Sequence, residues 1–145
     1  MTVGYAVLEE AVRQQIISTL PEFLTNETCV ISDIDKLLEV IFTTNGRFGC
    51  VLDYNGGEET VRQPMSHAVW SWSILGMFLI KLSDSIDSDL RDIIGLLHTT
   101  FSSGNHTLGG LTPKAMFTDI GRPERGAVND TPFYWLPFIV EVIDR

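Results

Sequence analysis

Positive charge is in short supply in this sequence. Its 145 residues hold 10 Lys and Arg against 19 Asp and Glu, a formal net charge of −9. A surface that grips nucleic acid draws much of its affinity from a basic face, so this balance argues against one. It suits a surface that keeps the protein dissolved, or one that nucleic acid slides past. Cysteine is equally scarce. Cys29 and Cys50 form no CxxC pair and have no histidine cluster beside them. The expectation is two buried, reduced thiols in a cytosolic protein. No apolar run approaches the roughly 18–20 residues of a membrane span. The opening residues lack the basic start and apolar centre of a secretory leader, so the sequons at Asn26 and Asn105 carry no meaning.

Motifs of chemistry are missing too. His67, His98 and His106 lie far apart, without the i+4 partner or cysteine pair of a metal site. His98 reads as a surface or boundary residue. "LDYNGG" and "LGGL" contain glycine pairs, yet neither matches a phosphate-binding loop, and both read as tight turns. "DSIDSDLRD" lacks the central glycine and closing glutamate of a calcium loop, and its acids suit the start of a helix. A Cys50, His67 and Asp53 trio has no local support as a nucleophilic group. No catalytic residue, cofactor or metal is assigned, and no enzyme is expected.

What is present is an ordinary globular composition, 44% hydrophobic and 20% charged. It fits one domain over residues 1–145 that buries about two thirds of its unfolded surface. Residues 4–20 carry Tyr5, Leu8, Val12, Ile16 and Leu20 at helical spacing, ended by Pro21. "TCVI" (28–31) suits a short strand. A second helix is expected over 33–42, with Ser32 as its cap and Asp35 three residues on. "RFGCVLDY" (47–54) alternates as a strand, "NGG" (55–57) reads as a turn, and 58–63 reads as the return strand of a hairpin. Residues 69–82 form the longest strand, with Trp70, Trp72, Ile74, Phe78, Ile80 and Leu82 on one side. A helix follows over 88–101, with Leu90, Ile93, Ile94, Leu97 and Phe101 inward. Then come a loop (102–111), a strand (114–120), a charged loop (121–132) and a last strand (133–143). Pro137 favours an edge or a bulge in that strand. Helices set apart from hairpin-linked strands indicate α+β: a mostly antiparallel sheet with helices packed on one face.

The aromatic strands are the other positive signal. Trp70, Trp72 and Trp135 are candidates for an interface, where tryptophan and tyrosine are favoured. The long polar loops, about 55–68 and 121–132, carry Arg47 and Arg62 at or near the first and Arg122 and Arg125 in the second. Arginines on an acidic protein suit salt bridges to a neighbouring copy.

Four segments in order carry a likeness: "AVLEEAVRQQIISTL"; the run from "WSWSILGMFLIKL" through "SDSIDSDLRDIIGLLHTTF"; "KAMFTDIGRPERGAVND"; and the closing "YWLPFIVEVID". In this order and spacing the chain resembles the tail terminator (tail completion, or tail-to-head joining) proteins of long-tailed bacteriophages. The resemblance implies a ring-forming subunit, a hexamer in expectation, in the virion neck after assembly in the host cytoplasm. Its partners would be copies of itself, the tail tube protein and the head–tail connector, with DNA passing through the lumen unbound. It supplies no catalytic residues. Two other readings stand beside it. One is a different neck component, or a small α+β adaptor acting on host proteins. The other is a small-ligand or enzymatic domain with a pocket lined by Trp70, Trp72 and Trp135.

Overall fold

A computed structural model describes residues 3–62, 67–84, 86–101, 107–112 and 114–144. His106 lies outside them. Three helices and six strands follow in the order α1 (Tyr5–Thr19), β1 (Cys29–Ile31), α2 (Ile34–Thr43), β2 (Phe48–Arg62), β3 (His67–Lys81), α3 (Ile86–Thr100), β4 (Ala115–Ile120), β5 (Glu124–Val128) and β6 (Thr131–Asp144). The fold is α+β. One sheet runs β1-β2-β3-β6-β4, with β5 also on β6. Every pairing is antiparallel except that of β1 with β2.

The alternation along β2, β3 and β6 separates two faces. On the first, Leu52, Ile74, Phe78, Leu136, Phe138 and Val140 meet Leu8, Val12 and Ile16 of α1 and Ile93 and Leu97 of α3 in the main core. The helices do not all share that face, as the sequence reading had them. Leu37 and Ile41 of α2 pack with Leu79 and Phe133 in a second, smaller cluster on the other side. Gly49 makes room for this: a Cβ there would stand 2.7 Å from the side chains of both Leu37 and Ile41. Sequence periodicity finds the buried stripe of α2 but not which side of the sheet receives it.

The cap of α2 also differs. Asp33, not Ser32, accepts from the Lys36 amide at 3.0 Å. Ser32 adopts a positive φ of 55° and its hydroxyl donates to Asp53 at 2.9 Å. "NGG" is not a hairpin turn: β2 continues through it, with a register shift between Tyr54 and Gly57. The chain reverses between Arg62 and His67, register partners at the ends of β2 and β3. The expected loop 121–132 holds β5, and Asn129 and Asp130, both at positive φ, turn it tightly into β6. Two consecutive residues at positive φ match the twist of a two-residue hairpin, and Asn and Asp tolerate that conformation.

The terminal strand β6 is interior, flanked by β3 on one side and by β4 and β5 on the other. Its cover comes from its own chain, so no neighbouring copy is needed for that. Around Pro137 the pairing on one side of β6 is interrupted, and the facing chain carries one extra residue between Ile120 and Glu124. The β5 pairing ends at Trp135 and the β4 pairing begins at Phe138, which leaves a gap opposite Pro137. In an extended strand a residue's N–H and C=O point the same way. The Pro137 carbonyl accepts from Gly121 N at 2.7 Å, so the missing donor faces this gap and breaks no ladder.

Candidate functional site

Among the described residues the pairing of β3 with β6 begins at Trp70, opposite Asp144, and His67–Val69 continues β3 beside β2. The first face of the sheet continues past the start of α1 as a row of aromatic rings. Tyr5 lies edge-on to Tyr54 and to Trp72, each at a centroid distance of 5.2 Å. Trp72 lies 5.2 Å from Trp70. Such edge-to-face contacts place the positive ring edge on the negative ring face. Gly57 is the floor beneath the tryptophans: a Cβ there would meet Trp72 at 2.7 Å and Trp70 at 2.8 Å. The row does not close over. Tyr54 is 55% exposed and Trp70 is 37% exposed.

Carboxylates surround these rings. Glu59 is the direct cross-strand partner of Trp70, so both side chains stand on the same face, and Glu59 is exposed. Asp53 adjoins Tyr54 in sequence and is exposed. Two more acids are buried behind the row. Asp144 accepts from Trp72 Nε1 at 3.1 Å, from the Val3 amide at 2.8 Å and from the Gly4 amide at 3.3 Å. It thus fastens the last residues of β6 to the segment leading into α1, where Gly4 has a φ of 101°. Glu9 accepts a hydrogen bond from the Tyr5 hydroxyl. Burial is the main reason that the Glu9 carboxyl is pushed above its ordinary pKa; Asp53 and Glu10 add to this and the Tyr5 hydroxyl opposes it. Burial, then the Glu9 hydrogen bond, pushes the Tyr5 phenol upward as well.

The residues singled out from the sequence divide into several groups. Trp70 and Trp72 come together in the row. Trp135 stands on the other face of the sheet beside Phe133, its indole over Gly126, so the three tryptophans line no common pocket. Arg47 is engaged within its own chain. It forms an ion pair with Asp89 of α3, donates to Ser83 Oγ at 2.8 Å and holds its guanidinium 5.1 Å from the Phe48 ring centre. Its side chain nonetheless stays partly exposed. Arg62 ends β2, and its side chain lies outside the described residues. Arg122 and Arg125 are exposed, and their side chains make no ion pair or hydrogen bond among the described residues. Tyr5 and Tyr54 enter the sequence reading only as residues of a helix stripe and an alternating strand, and Glu9 and Asp144 are not singled out there as site residues. Their one local signal is the Tyr5–Glu9 spacing of four on a helix.

Cys29 and Cys50 are buried and free, partners across the parallel β1–β2 pair. A hydrogen bond to Cys29, then burial, holds the Cys50 thiol well above its ordinary pKa, which makes it a poor nucleophile. A separate cleft of about 550 Å³ opens between the end of α3 and β4, with Phe101, Phe117, Ile120, His98 and Asp119 among its lining. Among the described residues no group of three or more His, Cys, Asp or Glu is placed to hold a metal ion. No described helix is long and apolar enough to cross a membrane. The aromatic row, with an acidic rim and an open end, is chemically suited to docking a cationic protein surface. No known family model matches the chain, and no curated protein matches its sequence.

Proposed function

We propose that this chain is a structural virion subunit whose copies associate side by side into a closed ring, six-membered by the resemblance drawn from its sequence. The ring caps the last layer of a phage tail tube, ends tail elongation and joins the tail to the head connector. The observation that carries the reading is the open aromatic row. Trp70 and Tyr54 stay exposed on paired strands β2 and β3, beside the start of α1. Large rings left in water at a rigid sheet end suit the centre of a protein interface. The order of elements supports it further: an N-terminal helix, a tryptophan-bearing strand leading into a helix, a strand followed by a charged stretch, and an aromatic closing strand. The acidic balance suits a lumen through which DNA slides.

The test is native mass over a concentration series, with negative-stain images of the same samples. Closed rings support the reading. A chain that stays monomeric at every concentration removes self-assembly, and weight passes to an adaptor or ligand-binding role. The cleft beside β4 is the feature that favours the latter, and thermal stabilisation by a small-molecule library tests it.

A further inference from the structure

We infer that Arg125 of one copy docks on Trp70 and Glu59 of the next, so that the β5–β6 hairpin is the tongue and the aromatic row the groove of a head-to-tail contact. The inference rests on the ring reading and names the surfaces that would form it.

Four observations lead there. The receiving surface has the two groups that recognise a guanidinium: an exposed indole and a carboxylate directly across the strand from it, Trp70 and Glu59. Arginine stacks on an aromatic face while its N–H groups reach a carboxylate, and the Arg47 guanidinium already sits by Phe48 and Asp89 in this way within the chain. The donating surface is an exposed arginine without an ion pair among the described residues. It is carried on a short hairpin whose turn, Asn129–Asp130, is fixed by two positive φ angles. Little conformational freedom is therefore lost when it binds.

The two surfaces face the same side of the sheet. Arg125 is the register partner of Tyr134, which packs on the main core, and Trp70 is the register partner of Asp144. Ten residues of β6 separate Tyr134 from Asp144, roughly 33 Å along an extended strand. Arg125 therefore cannot reach Trp70 of its own chain. A second copy can supply it, and the charges match: Asp53 and Glu59 border the rings, while Arg122 stands three residues from Arg125 on the other surface. Because the two surfaces differ, the contact is heterologous, and repeating it generates a ring where the rotation closes.

The experiment compares association by sedimentation equilibrium in the wild type, Glu59→Arg, Arg125→Glu and the variant carrying both changes. Thermal melting checks that each folds, which their exposure favours. Each single reversal should weaken association about tenfold or more, and the double variant should recover most of it, since the charges again oppose. Trp70→Ala should weaken association as well. Single variants that assemble like the wild type overturn the contact and leave the ring reading standing. So does a double variant no better than the singles. A wild type that remains monomeric at every concentration overturns both.

Discussion

The ring of Phe138 lies over Gly76, its register partner across β3 and β6. Gly76 has no side chain to pack, and Phe138 fills the space above it while reaching into the main core. Phe138 is 1% exposed. Phe138→Ala should therefore cost about 3–5 kcal/mol, the range for a buried aromatic truncation. Gly76→Ala should cost about 1–3 kcal/mol by overpacking, because its Cβ drives into the ring. In the Phe138→Ala background most of the Gly76→Ala penalty should vanish. Denaturant unfolding of the four chains gives the coupling. Additive costs would mean that the ring does not occupy this place.

How much of this was legible in the sequence depends on the range of the interaction. The stripes of α1, α2 and α3 were, because burial there repeats every three to four residues. The inward row Leu136, Phe138, Val140 and Val142 was legible for the same reason at period two. The continuity of β2 was not. Asn55-Gly56-Gly57 is strong turn chemistry, but in the folded chain Gly56, at a φ of 104°, serves an irregularity inside a strand. β5 was hidden by its charge, since a five-residue strand paired on one side only needs little apolar content. At the candidate site, Trp70 and Trp72 were visible as same-face aromatics. Asp144 was not, because it meets Val3 across 141 residues, and no local pattern encodes that contact.

Asp144 offers the next expectation. Its carboxylate accepts from Trp72 Nε1 and from two backbone amides ahead of α1, and it is 4% exposed. Asp144→Ala leaves these donors without their acceptor, and the loss should be about 2–3 kcal/mol. Hydrogen exchange at the Val3 and Gly4 amides should accelerate, and the tryptophan emission should shift. Unchanged exchange at those two amides would show that other groups hold the start of α1.

Glu9 predicts a pH dependence with a definite sign. Its pKa is raised in the folded state, chiefly by burial. The folded chain therefore keeps this proton at pH values where the unfolded chain has lost it. The resulting stabilisation is fully present below the unfolded value of about 4.3, and it is lost as pH rises through the folded value. Glu9→Gln keeps an acceptor for the Tyr5 hydroxyl and does not ionise. It should melt higher than the wild type at pH 7, with the gap narrowing towards pH 4. Melting curves of both chains across that range test it. A gap independent of pH would show that Glu9 titrates as an ordinary glutamate.

The lumen reading predicts indifference to DNA. Among the described residues the exposed cations are poorly placed to form a basic face, because acids accompany them: Lys36 adjoins Asp35, Arg47 pairs with Asp89, Arg91 adjoins Asp92, and Arg122 and Arg125 flank Glu124 within two residues. At about 0.1 M salt charges are screened beyond roughly 10 Å, so a cation acts on a phosphate largely through its immediate surroundings, and here these are neutral or negative. Binding driven by counterion release requires several phosphates to be neutralised together. Duplex DNA should therefore run unshifted in a gel at moderate salt with the protein at tens of micromolar, about the level where nonspecific binders saturate. A retarded band that fades as salt rises would show a basic surface that these residues do not form. It would also count against an unobstructed passage for DNA.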